Sequence, residues 1–179
     1  MHVGGPCSPI VKVGDRVLRG QLIAEPSGLG ANIHASYTGE ITAVTETDIV
    51  IKADDKQNFD EYVKIPDTKT NLEAIAAAGV VGAGGAGFPT AVKLKTEIPQ
   101  GCFIANCAEC EPLLAHNIHQ IETDAAQLVR GVKYAMEITK APKGYIAIKP
   151  KHKKAVIELI KACRNEDNID VFRLPDMYA

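Results

Sequence analysis

The first fifty-odd residues contain short apolar runs separated by glycine and charged residues. Gly-Asp at positions 14–15 and Arg-Gly at 19–20 interrupt these runs, and the same rhythm returns over residues 34–44 and 49–51. Short apolar segments with turn residues between them are typical of hairpins in a small β structure. The pattern therefore predicts a small all-β domain over residues 1–56.

The pattern looks like the barrel-sandwich hybrid fold of biotinyl and lipoyl carrier domains. However, the segment that would present the modified lysine, residues 26–32, contains no lysine. We therefore expect a docking or structural module rather than a swinging arm. Residues 57–69 are polar and include Pro66, which predicts a solvated linker.

From residue 70 the pattern becomes that of an α/β domain, predicted over residues 70–179. Thr70 or Asn71 is a good N-cap for a short alanine-rich helix, and Gly79 suits its C-terminal end. Strands and helices then alternate, which implies a Rossmann-like parallel sheet with right-handed crossovers. The predicted elements are a buried strand at 103–105, a helix at 124–139, a strand at 145–148, a helix at 153–163 and a strand at 169–173.

Residues 79–90 read Gly-Val-Val-Gly-Ala-Gly-Gly-Ala-Gly-Phe-Pro-Thr. Glycines can take positive φ and let several N–H groups converge on an anion. Pro89 precedes a predicted helix whose N-terminus would attract phosphate, and Lys93 follows one turn later. The alternative is a flexible surface loop. The loop glycines in question are Gly82, Gly84, Gly85 and Gly87.

The order helix, glycine loop, helix argues against a dinucleotide fingerprint, which should follow a buried strand. The chain also lacks a P-loop motif. A second polar segment, Asn106-Cys-Ala-Glu109-Cys-Glu111-Pro112, leaves the carboxyl end of the first predicted strand, where open α/β sheets bind ligands. Together the two segments indicate a nucleotide or flavin site.

These two motifs resemble the RnfC family of electron-transport subunits and the NADH- and FMN-binding 51 kDa subunit of respiratory complex I. Within that group, the stretch from Cys107 to Asn117 and the closing Leu-Pro-Asp-Met-Tyr look most like the branch associated with D-proline reductase, PrdC. The resemblance covers nearly the whole chain.

The resemblance implies FMN and NADH as cofactors and no catalytic acid or base. The four loop glycines would line the FMN phosphate and ring, and Lys93 would reach the phosphate or flavin. Asn106 and Glu109 would hydrogen-bond the flavin, Glu111 would receive the nicotinamide, and Phe88 would lie near the dinucleotide. Two positions depart from the complex I relative: Ala83 replaces an arginine and Ala108 replaces an aspartate.

The chain ends directly after a predicted strand, which predicts a piece of a longer protein. In the family, the rest of the flavin domain, a small β domain and a cysteine-rich iron–sulfur region follow. Iron–sulfur clusters are therefore expected only in that further part, and no metal site is expected here.

The cysteines allow three interpretations. Cys102, Cys107 and Cys110 have the C-x4-C-x2-C spacing of part of a ferredoxin site. Cys107 and Cys110 could instead form a redox-active pair. Neighbouring carboxylates would raise the thiol pKa, so two inert thiols are the favoured interpretation.

Composition narrows the class of protein. A net charge of −2 argues against nucleic acid as the main partner. No apolar run is long enough for a membrane span, and residues 1–6 do not resemble a signal peptide. Five cysteines without such a signal favour the cytoplasm. Lysines in the range 149–154 are interpreted as a solvated face.

The main expectation is an electron-transfer component, NADH to FMN to iron–sulfur clusters, within the full-length protein. Its partners would be other subunits of a reductase or a membrane Rnf-type complex, with peripheral association at the inner face of the membrane. This chain alone is expected to be inactive. The alternative is a non-catalytic docking or adaptor module that has lost its cofactor.

Overall fold

The computed structural model describes residues 2–83, 85–109 and 115–175. The chain forms two compact units, residues 1–95 and 96–179. Among the described residues, no helix is both long and apolar enough to cross a membrane.

The first unit begins with two antiparallel three-stranded sheets. One sheet has the order β1-β3-β4 and the other β2-β5-β6. The strands are β1 (Cys7–Pro9), β2 (Arg16–Val17), β3 (Leu22–Pro26), β4 (Ile33–His34), β5 (Gly39–Val44) and β6 (Ile49–Ala53). The predicted small β domain is confirmed, and the interruptions at 14–15 and 19–20 contain glycines with positive φ, Gly14 and Gly20.

The two sheets share one apolar core. Val17 and Ile41 come from one sheet and are fully buried, and Ile23 comes from the other sheet. Alternation along β5 places Ile41 inward and its neighbours Glu40 and Thr42 outward. Apolar side chains from both sheets therefore face each other in the manner of a sandwich.

The predicted linker is exposed but is hydrogen-bonded to the β domain. The Val63 amide donates to the Arg19 carbonyl at 2.8 Å, and the Gln57 side-chain amide donates to the Thr38 carbonyl at 2.9 Å. The Arg19 guanidinium lies over the Phe59 ring, 5.3 Å from its centroid. The domain boundaries at residues 56 and 70 stay a prediction.

Two short helices complete the first unit: α1 (Asn71–Ala77) and α2 (Thr90–Leu94). Thr70, one of the two predicted N-cap residues, caps α1 and forms a capping box with Glu73. Gly79 follows the C-cap residue Ala78, and its φ of 65° is the left-handed conformation that favours glycine after a helix.

The second unit is a parallel three-stranded sheet with the order β7-β8-β9. Its elements are β7 (Cys102–Asn106), α3 (His116–Thr139), β8 (Lys143–Ile148), α4 (Lys153–Ala162) and β9 (Ile169–Arg173). Residues of α3, α4 and the sheet form a core that includes the fully buried Ile146, Ile148 and Leu159. The predicted α/β class and the parallel sheet are confirmed.

Two predictions made from the sequence differ from the observed structure of this unit. The apolar run at β7 predicts a buried strand, but β7 lies at the edge of the described sheet, where Phe103 and Ala105 are half-buried and Ile104 is 59% exposed. The helix predicted from residue 124 begins at His116. Asp124 has non-helical φ and ψ and accepts a hydrogen bond from the Gln127 amide at 3.0 Å, so it caps the second part of a kinked helix.

Candidate functional site

The glycine loop of the first unit is closed at its base by backbone hydrogen bonds. Val81 forms an antiparallel bridge with Pro89, and the Gly82 amide donates to the Phe88 carbonyl at 2.9 Å. The Thr90 amide donates to the Val80 carbonyl at 2.9 Å as well. The loop is therefore a defined hairpin-like turn between α1 and α2, rather than an unpaired surface segment.

Glycine is needed in this loop for backbone conformation. Gly85 has φ of 142° and Gly87 has φ of 64°, which side-chain-bearing residues rarely adopt. A Cβ at Gly85 would meet no atom within 4 Å, so its backbone faces open space that a ligand can approach. Gly82 has no positive φ and has room for a Cβ. Gly84 lies outside the described residues.

The start of the loop is anchored on the β domain. A Cβ at Gly79 would lie 2.1 Å from the Asn32 carbonyl oxygen, so only glycine allows this contact. The Asn32 side-chain amide also donates to the Ala77 carbonyl at 3.3 Å. The loop is thus positioned by the β domain as well as by its flanking helices.

Lys93 lies exposed on α2, close in sequence to the loop. Because α2 has only five residues, its aligned peptide dipoles are few, and the phosphate attraction expected from its N-terminus is weak. Pro89 occupies the N-cap position and makes no side-chain capping bond. The loop amides and the Lys93 ammonium are therefore the groups of this loop and helix that could hold a phosphate. Phe88 is 37% exposed beside them in the chain.

In the second unit, Asn106 and Glu109 follow the carboxyl end of β7. The Asn106 Oδ1 accepts a hydrogen bond from the Ala108 amide at 3.0 Å, which turns the chain away from the sheet. The Cys107 amide donates to the Ala147 carbonyl of β8 at 2.8 Å. This arrangement confirms that the segment leaves the sheet at its carboxyl edge.

Glu109 has a partner that sequence reasoning missed. The Asn117 side-chain amide donates to Glu109 Oε2 at 3.1 Å from the first turn of α3. The feature of the sequence that could have indicated this contact is Asn117 itself, a polar residue eight positions after Glu109. It lies in the first turn of α3, which was not predicted from the sequence. Glu111 and Cys110 lie outside the described residues, so their expected roles stay predictions.

The described residues favour an inert thiol at Cys107. Cys107 is 7% exposed, and burial raises its pKa from 9.0 to about 11, which keeps it protonated at neutral pH. Cys102 lies at the opposite end of β7, and five residues of strand span about 16 Å. The two thiols therefore cannot ligate one small iron–sulfur cluster. No group of three potential metal-ligating side chains occurs in the described residues.

The predicted site residues fall into two groups. The described loop residues and Lys93 belong to the first unit, whereas Asn106 and Glu109 belong to the second. Each group is described only within its own unit. Their assembly into one site, and the cofactor-binding role of each residue, stay predictions.

Comparison with known proteins matches both parts of the chain to domain families. The sequence model of the Nuo51 FMN-binding domain matches residues 75–179, and that of the RnfC barrel sandwich hybrid domain matches residues 1–65. The chain belongs to the Nuo51 FMN-binding domain family. The RnfC-like resemblance is confirmed, whereas assignment to the proline reductase branch stays a prediction.

Curated relatives of this chain include proteins named as subunits of oxidoreductase complexes. The chain is 36% identical to a subunit of the Na(+)-translocating ferredoxin:NAD(+) oxidoreductase complex of Acetobacterium woodii, over 99% of the chain and 44% of the relative. It is 32% identical to a subunit of an ion-translocating oxidoreductase complex of Pseudomonas aeruginosa, over 99% of the chain and 25% of the relative. The chain therefore spans less than half the length of these relatives.

A third relative has a higher identity over a shorter stretch. Cobalamin reductase PduS of Salmonella typhimurium is 47% identical over 106 residues, which are 59% of the chain and 23% of the relative. The described residues fit the cofactor of the family, because the open backbone at Gly85 and a cation eight positions later, Lys93, are groups that suit a phosphate. The expectation of an FMN-binding domain is thus confirmed at the level of the family.

Proposed function

We propose that the full-length protein is an electron-transfer flavoprotein component that oxidises NADH through FMN and delivers electrons to iron–sulfur clusters. The observation that carries this proposal is the match of residues 75–179 to an FMN-binding domain. Relatives named as ferredoxin:NAD(+) oxidoreductase subunits and as a cobalamin reductase support the redox class. FMN, when bound, supplies two-electron acceptance and one-electron release.

This chain would contribute binding and orientation. The amides around Gly85 and Gly87, with the Lys93 ammonium, would hold the flavin phosphate. Asn106 and Glu109 would hydrogen-bond the flavin from the sheet edge. Because Oδ1 of Asn106 accepts from Ala108, Nδ2 is the Asn106 group that would donate to the flavin in this proposal.

Glu109 is held in a similar way by Asn117, whose amide fixes one carboxylate oxygen. The other oxygen would serve as an acceptor for an N–H group of a flavin or dinucleotide. The proposed reaction needs no acid or base from the described residues, because the cofactors carry the redox chemistry.

The proposed partners are other subunits of a reductase or of an ion-translocating complex. Relatives that align with 99% of the chain are named as subunits of such oxidoreductase complexes. We include cytoplasmic location and peripheral association with the inner face of the membrane in this proposal. Supply of electrons to D-proline reductase is one proposed branch, and service in an Rnf-type complex is the other.

Flavin binding tests the proposal at the level of this chain. FMN fluorescence should be quenched on titration with the chain, and Lys93→Ala should weaken FMN binding by about tenfold, because a charge-assisted phosphate contact is lost. Lys95→Ala is the matched control, since it removes a neighbouring exposed lysine, and it should change affinity by less than about twofold. Purified full-length protein should carry flavin and oxidise NADH with an artificial acceptor.

A non-catalytic adaptor is the second candidate. It is favoured by Ala83 and Ala108, which lack the charged groups of the complex I relative. Unchanged FMN fluorescence with both wild type and Lys93→Ala, together with full-length protein free of flavin and of NADH oxidation, would support the adaptor and refute the flavoprotein.

A further inference from the structure

A thiol and an imidazole lie side by side in the first unit. The Cys7 Sγ atom is 3.2 Å from Nε2 of His2, and it donates a hydrogen bond to the Ala31 carbonyl at 3.3 Å. Cys7 is the first residue of β1 and pairs with Pro26 of β3, so the sheet positions its backbone. The two side chains form a nucleophile and a base within hydrogen-bonding distance of each other.

Two backbone groups determine which nitrogen of His2 carries the proton in the neutral ring. The Val3 carbonyl, which can only accept, lies 3.1 Å from Nδ1. The Ala31 amide, which can only donate, lies 3.4 Å from Nε2. Both contacts require a hydrogen on Nδ1 and a lone pair on Nε2. The nitrogen beside the Cys7 thiol is therefore the one that can accept a proton.

The fold makes room for this pair with two glycines. A Cβ at Gly30 would lie 3.0 Å from Cε1 of His2, so the imidazole ring packs directly on the backbone there. A Cβ at Gly4 would collide with the Leu29 carbonyl oxygen. The segment that carries the pair is thus held against residues 29–31 by contacts that larger residues would prevent.

Cys7 differs from the buried Cys107 in its access to solvent. Cys7 is half-buried, and the three residues before it are exposed. Burial raises the pKa of the Cys7 thiol above its ordinary value of 9.0, so the thiol is protonated at neutral pH. A reaction at this thiol therefore needs a group that takes its proton, and Nε2 of His2 is placed to do so.

We propose that Cys7 is a modification site for low-molecular-weight disulfides, with His2 as its general base. Nε2 takes the thiol proton while Sγ attacks one sulfur of the disulfide, and the bond between the two disulfide sulfurs breaks. The leaving thiolate then takes the proton from the His2 imidazolium. The products are a mixed disulfide at Cys7 and one free thiol, so the disulfide is the only oxidant that the reaction needs.

Mass spectrometry of the separated peptides measures the reaction at each cysteine. With excess hydroxyethyl disulfide at neutral pH, Cys7 should form the mixed disulfide at least about fivefold faster than Cys163. Cys163 is the internal control, because it is also half-buried and burial also raises its pKa.

His2→Gln tests the base, because glutamine keeps a polar side chain that cannot take a proton. The rate at Cys7 should fall at least about tenfold, whereas the rate at Cys163 should change less than about twofold. His119→Gln makes the same change at an exposed histidine of the second unit and should leave the Cys7 rate within about twofold. In His2→Ala, added imidazole should restore part of the Cys7 rate, which a purely structural role of His2 does not predict.

Three results would overturn the inference. These are a Cys7 rate no higher than that of Cys163, equal effects of His2→Gln and His119→Gln, or no greater effect of imidazole on His2→Ala than on wild type. Neither His2 nor Cys7 belongs to the apolar core of the first unit, so their variants should fold, and their circular dichroism should match that of wild type. None of these measurements involves FMN or NADH, so failure here would leave the proposed function standing.

Discussion

At the scale of single residues, the glycines of the segment 79–87 have unequal roles. Gly79 is required by both its φ of 65° and its contact with the Asn32 carbonyl, and Gly85 by its φ alone. Gly82 has an ordinary conformation and room for a side chain. The letter pattern Gly-x-Gly-x-x-Gly alone does not distinguish these positions, because each requirement comes from the folded backbone.

Gly79→Ala should destabilise the first unit by at least about 2 kcal/mol, because the new Cβ meets a backbone carbonyl and the positive φ is strained. Gly82→Ala should change the free energy of unfolding by less than about 1 kcal/mol. Urea denaturation of both variants measures this difference. Equal loss in the two variants would contradict the contact between Gly79 and Asn32.

The buried thiol of Cys107 predicts a pH dependence of stability. Its folded pKa of about 11 exceeds the ordinary value of 9.0. Its contribution, on the order of 2 kcal/mol, is therefore fully present below pH 9 and is lost as pH rises from 9 to 11, because the unfolded thiol ionises first. Cys107→Ala should show a smaller loss of unfolding free energy over that interval than wild type. Equal slopes in both proteins would show that another group is responsible.

At the scale of elements, α3 shows where local signals suffice and where they do not. Asp124 marks a genuine helix start, and the structure uses it as an internal cap after a kink. Local signals do not predict the preceding turns, residues 116–123. Ile118 and Ile121 of this segment are buried in the apolar core of the second unit. Tertiary packing therefore stabilises a segment that lacks a side-chain cap of its own.

Asp124→Ala should lower the free energy of unfolding by about 1 kcal/mol, since the Gln127 amide loses its acceptor. Asp124→Asn is the matched control and should retain most of the stability, because asparagine is an equally good N-cap. Thermal and urea unfolding of the two variants measure the difference. A loss as large for asparagine as for alanine would exclude the capping role.

At the scale of the whole molecule, the described residues form two separate apolar cores. One lies between the antiparallel sheets and contains Val17 and Ile41, and the other packs α3 and α4 on the parallel sheet around Ile146. Each core draws only on residues of its own unit. A substitution that creates a cavity in one core should therefore lower the stability of the unit that contains this core more than the stability of the other unit.

Ile41→Ala should destabilise the first unit by about 2–5 kcal/mol through lost burial and a cavity. Native-state hydrogen exchange should show loss of protection in β5 and β6, while β8 keeps its protection. Ile146→Ala is the reciprocal control and should reverse the pattern. Loss of protection throughout the chain in both variants would show that the two units unfold together.

The sequence by itself determined the order and type of most elements and the identity of the family. Periodicity, capping residues and turn glycines act over a few positions, so they specified the β domain, α1, the parallel strands and the helix start at Asp124. Only the tertiary structure decided which face of β7 is exposed and which glycines are required by a positive φ or by a close contact. It also decided which side chain donates a hydrogen bond to Glu109. These properties depend on neighbours distant in the chain, such as Asn32 beside Gly79, whose approach local patterns do not encode.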